Sequence, residues 1–235
     1  MRSLPDTHVV LFDIDGTLVS SQISELDERR RYVDAIRDVT RKVPLVSPSR
    51  FAGMVDPQIC RIILAETGLD EKSIESCLPK VLSTMSQVYR NMPKKVALNH
   101  GVRELLEILI RSKSHILGVL TGNLSAIGKE KLAAAGIERY FQEGFYADHF
   151  VDRFVLVDYA ANTCVSKYRL SEIKNVLIIG DTPLDVKAAN AAHAISIGVA
   201  SGVYSMEQLS VGGAAHVFPD LVPTKPLLNA LDFST

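Results

Sequence analysis

Five short apolar runs punctuate the chain: VVLF at 9–12, HILGVL at 115–120, NVLIIG at 175–180, AISIGV at 194–199 and AHVF at 215–218. They are rich in β-branched residues and almost free of polar ones, as strands are when both faces of a parallel sheet are covered. Segments with helical patterning alternate with them. LSAIGKEKLAAAG follows the second run and TPLDVKAANAA the third. Parallel strands need crossover connections, so this order predicts an α/β fold with a doubly wound, Rossmann-like parallel sheet.

The first two runs lie too far apart for one crossover helix. Between them, from Gln22 to Ala97, no segment reads convincingly as a strand, and SELDERRRYVDAIRDVTRK, DPQICRIILAETG and EKSIESCLPKVLSTMSQVYR read as amphipathic helices. Asp56 before Pro57 is expected to cap the second of these, and Gly68 to stop it. Pro44 and Pro48 break the insert internally, and Pro93 with Lys94 and Lys95 marks its return. The arginines at 29–31 alternate with acids and read as a solvated face. The expected organisation is an α/β core of residues 1–20 and 97–235 with a helical cap, 21–96, inserted in one βα loop. The two crossings, 19–22 and 93–99, are the hinge candidates.

The chain has 235 residues, 47% of them hydrophobic, and a net charge of −1. That balance gives a full core and argues against nucleic acid or a membrane surface as partner. Cys60, Cys77 and Cys164 are scattered, with no CxxC pair, so neither a disulfide framework nor a zinc site is expected. The N-terminus carries Asp6 and His8 where a secretory leader needs an apolar stretch, and no run approaches the roughly 20 apolar residues of a membrane span. A cytoplasmic location is the expectation.

Three strands end in polar clusters: Asp13-Ile14-Asp15-Gly16-Thr17, Thr121-Gly122-Asn123 and Gly180-Asp181-Thr182-Pro183-Leu184-Asp185. Open parallel sheets bind ligands beyond the carboxyl ends of their strands, so these clusters are expected to share one edge. Asp13 and Asp15, two residues apart on extended chain, can face one site. Like-charged carboxylates held close repel unless a cation compensates, and Asp181 and Asp185 add to the charge. Few, hard, water-accessible oxygen ligands suit Mg²⁺. Taken singly, each cluster reads equally as a turn or a helix cap. An EF-hand loop is excluded, because no helix precedes Asp13 and Thr17 and Ser24 stand where ligands belong.

Together these residues resemble the haloacid dehalogenase-like phosphatase superfamily over nearly the whole chain. The family's first motif stands here as DIDGTL from Asp13, its second as Thr121, and its fourth as Gly180 to Asp185, with the insert in the place of a C1 cap. The phosphoglycolate phosphatase and β-phosphoglucomutase group is the most similar branch. The resemblance implies a five-stranded core, a mobile cap and Mg²⁺. In it Asp13 is a nucleophile, ionised at neutral pH and needing no base, and Asp15 is its proton shuttle. Asp13, the backbone carbonyl of Asp15, and Asp181 would hold the metal, with Asp185 orienting a metal-bound water. Thr121 and the amides of Gly122 and Asn123, helped by the following helix N-terminus, would hold phosphoryl oxygens. The substrate implied is a small phosphorylated metabolite.

The sequence departs from that family at the third motif, where a Lys, often Lys-Pro, is usual. Arg153, 27 residues before Gly180, best fits the position, and Lys167 reads as a helix-end charge. Replacing Arg153 with Ala is expected to cut turnover and leave the fold intact. In the cap loop RFAGMVDPQI, Gly53 would permit a close backbone approach to substrate. His193 reads as a helix-end residue in the left-handed region, with no ligand role. Three other readings stand beside the phosphatase. A dehalogenase is opposed by Asp15, whereas a phosphomutase shares the core motifs, and a noncatalytic binding module usually lacks one of the acids.

Overall fold

The computed structural model describes residues 7–22 and 24–231; the N-terminal residues 1–6, part of the segment weighed as a leader, lie outside it. In chain order come β1 (His8–Phe12), β2 (Val19–Ser21), α1 (Glu25–Glu28), α2 (Arg30–Thr40), α3 (Asp56–Glu66), α4 (Glu71–Arg90) and β3 (Val96–Leu98). They are followed by α5 (Val102–Leu109), β4 (His115–Leu120), α6 (Ser125–Ala134), β5 (Glu143–Phe145) and α7 (Arg153–Tyr168). The chain ends with β6 (Val176–Gly180), α8 (Pro183–Ala191), β7 (Ile195–Val199), α9 (Met206–Val211), β8 (His216–Phe218) and α10 (Lys225–Ala230).

Six strands form one parallel sheet in the order β5-β4-β1-β6-β7-β8. The five apolar runs all become strands, but the five-stranded expectation misses β5, which pairs with β4 through Gly118↔Glu143 to Leu120↔Phe145. Its sequence, Glu-Gly-Phe, has no apolar alternation to announce it. Strand β1 lies centrally, with Val9 opposite Ile116 on one side and Val176 on the other. Successive β1 residues point to opposite faces. Val10 and Phe12 pack with Leu117, Val119 and Leu177, while Val9 and Leu11 pack with Leu156, Ala160 and Ile178. Both faces are buried, and that is why the run is apolar throughout.

Helices α1–α4 are inserted between β2 and β3. Those two short strands pair antiparallel, Val19↔Leu98 to Ser21↔Val96, so the two chain crossings are hydrogen-bonded to each other. The insert has its own core, where Tyr32, Ile36, Ile63, Val81 and Met85 pack together and take in Leu124, just before α6, and Ile127 from it. Helix α3 ends as its sequence suggests, with Gly68 in the left-handed region. Asp56, however, is the first helical residue and not the cap. Among the described residues no helix is long and apolar enough to cross a membrane.

Candidate active site

The carboxyl ends of β1, β4 and β6 meet where the strand order reverses, the position at which open α/β sheets place ligands. A cavity of about 590 Å³ opens there; it is lined by Asp13, Asp15, Gly53, Thr121, Gly122, Asn123, Arg153 and Asp181. Asp13 continues β1, its amide donating to Ile179 O at 2.9 Å. The chain then turns back through Gly16 at φ 80°. Asp181 follows β6 and accepts from Thr17 Oγ1 at 3.2 Å. Asp185 sits in the first turn of α8, its Oδ2 accepting from Thr182 Oγ1 at 2.7 Å and Thr182 N at 3.1 Å. Oxygens of Asp13, Asp181 and Asp185 lie within 4.8 Å of one another.

One buried cation faces this cluster. Arg153, 2% exposed at the start of α7, donates from Nη2 to Asp13 Oδ1 and to Leu120 O, both at 3.2 Å. The same nitrogen lies 2.6 Å from Asp185 Oδ1, and the Arg153 Nε has no hydrogen-bond partner among the described residues. Asp152, its neighbour, caps α7 by accepting from Val155 N. Lys167 sits more than half exposed in the last turn of α7, paired with Glu143.

One guanidinium does not balance three carboxylates. Burial raises Asp13 to about 7; Arg153 opposes the rise, and Asp185 and Asp15 add to it. Burial, with Asp185 and Asp13, pushes Asp181 up to about 9. Burial and the neighbouring acids disfavour the anionic form of Asp13, which needs a compensating charge. The donor set is hard oxygen, suited to a divalent cation. The backbone around it leaves no room for side chains: a Cβ on Gly16 would stand 2.2 Å from Asp181 Oδ2, and one on Gly202 1.8 Å from it. The donor set fits a small cation.

Asp15 has a different environment. Burial raises it, but the Lys131 ammonium, the Asn123 amide and Arg31 outweigh that and hold it below the usual carboxylate range. Lys131 Nζ lies 2.5 Å and Asn123 Nδ2 2.7 Å from its Oδ2. Asn123 Nδ2 also donates to Thr121 Oγ1 at 2.8 Å, and Asn123 Oδ1 accepts from Lys131 at 3.0 Å and from Arg31 at 3.1 Å. Two strand ends, α6 and the cap thus meet on one amide.

The family pattern of haloacid dehalogenase-like hydrolases matches residues 7–193. The chain belongs to that family of hydrolases. Solved structures agree on the fold. A hydrolase from Pseudomonas syringae superposes with a TM-score of 0.68 at 23% identity, covering 96% of this chain and 98% of its own. A predicted phosphoglycolate phosphatase from Haemophilus somnus 129PT gives 0.66 at 21% identity over 93% and 96%. A β-phosphoglucomutase from Clostridium difficile gives 0.67 at 14% identity over 96% and 97%. Comparison with curated proteins gives no match.

Within this haloacid dehalogenase-like hydrolase, several residues stand elsewhere than their sequence suggests. Arg31 is not on a solvated face; its side chain is 15% exposed and reaches Asn123, Tyr32 and Asp56, whereas Arg30 does point outward. The Asp56 carboxylate serves another helix, accepting from Leu124 N at 2.9 Å. With Asp148 accepting from Ser125 N, it takes the first two amides at the start of α6. Gly53, at φ 79°, lets the cap loop approach the core, since a Cβ there would meet Thr182 Oγ1 at 2.5 Å, and it also lines the cavity. Gly122 meets the same loop from the other side, its carbonyl accepting from Asp56 N at 2.7 Å and a Cβ there meeting Met54 O, and it too lines the cavity. His193 is left-handed at φ 58° and takes no part in the site. Lys131 had no sequence signal beyond a place on α6.

Proposed function

We propose that this hydrolase is a Mg²⁺-dependent phosphatase acting on a small phosphate monoester through a phosphoaspartyl intermediate. One observation carries the reading. Asp13 lies at the meeting of three strand ends, its carboxylate grouped with Asp181 and Asp185 and bonded to a buried arginine, with a second acid two residues on at the same cavity.

In the first half-reaction an Asp13 oxygen attacks phosphorus and the ester P–O bond breaks. The negative charge of the bound phosphoryl group opposes Lys131 and Asn123 and favours the protonated form of Asp15, which then gives its proton to the departing alcohol oxygen. In the second, Asp15 takes a proton from water, the water oxygen attacks phosphorus, and the bond to Asp13 breaks to release phosphate. Arg153, whose Nε has no partner among the described residues, and Thr121, with its buried hydroxyl, both line this cavity and would hold phosphoryl oxygens. Asp13, the Asp15 carbonyl and Asp181 would hold Mg²⁺. Asp185, whose oxygens already face Thr182 and Arg153, would orient its surroundings. When bound, the ion supplies positive charge against the acids and the phosphoryl group. The substrate is a small phosphorylated metabolite able to enter a cavity of about 590 Å³.

Release of p-nitrophenol from p-nitrophenyl phosphate tests this. Wild type should require Mg²⁺, and Asp13→Asn should lose at least about a thousandfold in kcat/KM. Activity that survives a chelator, or survives Asp13→Asn, overturns the reading. No activity across a panel of phosphate esters would shift it to a binding role.

A further inference from the structure

We infer that Lys131 is a positioning residue for the proton shuttle, fixing which oxygen of Asp15 meets the leaving group. The inference rests on the phosphatase reading above. Asp15 is half exposed to the cavity, with 46% of its side chain accessible, so burial alone does not fix its rotamer. Two donors do. Lys131 Nζ and Asn123 Nδ2 both reach Oδ2, while Oδ1 has no protein partner among the described residues.

That asymmetry matters for a group that works in both protonation states. A carboxylic acid protonated on Oδ1 still accepts at Oδ2. Lys131 and Asn123 can therefore keep their bonds while Oδ1 gives a proton to the alcohol and later takes one from water. The side chain need not turn between the two halves. Lys131 is itself held: its side chain is 10% exposed, a second bond goes to Asn123 Oδ1, and the Tyr89 ring from the cap lies 5.8 Å from Nζ. Asn123 cannot flip, because its Oδ1 faces two cations and its Nδ2 two oxygens. Arg31 brings the cap into the same network. A salt bridge between exposed groups would hold nothing in place; here one partner is buried and the acceptor is shared.

The test is the dependence of kcat/KM on the leaving group. p-Nitrophenolate departs without a proton, whereas an alkoxide needs one, and kcat/KM reports the step that releases it. The measurement compares p-nitrophenyl phosphate with the alkyl phosphate that wild type turns over fastest. Lys131→Met should raise the aryl-to-alkyl ratio of kcat/KM at least tenfold, and Lys131→Arg should recover part of the loss. The ratio cancels the fraction of protein folded, so a destabilised variant still reports. An unchanged ratio overturns the role of Lys131, as does a wild type that cleaves the aryl ester but no alkyl one. These outcomes are separate from survival of activity in Asp13→Asn, which overturns the phosphatase reading itself.

Discussion

Arg153 Nη2 lies 2.6 Å from Asp185 Oδ1, joining the first residue of α7 to the first turn of α8. The same nitrogen reaches Asp13 at 3.2 Å, so one buried charge fixes acids from two strand ends. Removing it leaves carboxylates facing one another without a cation. Arg153→Ala should therefore cost stability as well as turnover, contrary to the sequence-based expectation that the fold stays intact. Breaking a buried pair costs about 3 to 5 kcal/mol, or roughly 10 °C in Tm for a chain of this size. Mg²⁺ should restore much of the Tm and little of kcat/KM. A variant that melts like wild type in chelator would show that Arg153 is not the charge holding the cluster together.

The raised acids set a pH dependence with a definite sign. Asp13 at about 7 and Asp181 at about 9 stand above the ordinary 3.8, so between about pH 4 and 9 the folded state holds protons that the unfolded chain has lost. Unfolding stability then falls as pH rises. Their contribution is complete below about pH 4 and lost as pH passes 7 and then 9. In chelator, Tm should fall steadily from about pH 6 to 9. On the proposed function Mg²⁺ would bind the ionised acids, so its stabilisation should grow over the same range. At a hundred times its Kd the gain is about 2.7 kcal/mol, roughly 5 to 10 °C. A stabilisation by Mg²⁺ that is equal at both ends of the range would place the ion away from these two groups.

Gly202 allows Asp181 to stand where it does. A Cβ at this position would come within 1.8 Å of Asp181 Oδ2, so Gly202→Ala must displace that carboxylate. Shifting a ligand in this way should weaken Mg²⁺ about 10- to 100-fold. Isothermal titration measures the loss directly, without substrate. Unchanged affinity would remove Asp181 from the binding set.

Much of this was legible in the sequence because strands and strand ends carry strong local signals. The β1 run must be apolar on both faces, and the acids that follow it have no packing role to explain them. β5 was not legible because Glu143 and Gly144 give it no strand pattern and only pairing to β4 makes it a strand. Arg31 and Asp56 were misread for one shared reason. Each belongs to a local pattern, a charge run and an Asp-Pro start, that is sufficient by itself, and each is claimed instead by a partner far along the chain. Arg31 bonds Asn123, 92 residues away, and Asp56 bonds Leu124, 68 away. Lys131 gives no local sign at all, since only the folded chain brings α6 under Asp15.

Asp56 also makes the contact between cap and core testable. Its carboxylate is 1% exposed, with Oδ2 accepting from Leu124 N and Oδ1 from Tyr32 Oη at 2.8 Å, while Arg31 Nη2 stands 3.3 Å from Oδ1. Every neighbour is a donor, so an amide must turn its NH₂ against one of them. Asp56→Asn should leave a buried donor unpaired and Arg31 without its counter-charge, at a cost of about 3 kcal/mol or roughly 6 to 12 °C in Tm. Tyr32→Phe removes a single bond from the same group and should cost only about 1 kcal/mol. Thermal melts of the two variants measured side by side check the ordering. If Asp56→Asn melts no lower than Tyr32→Phe, the charge of Asp56 does not hold the helical insert to α6, and the pairing with Arg31 contributes nothing to that contact.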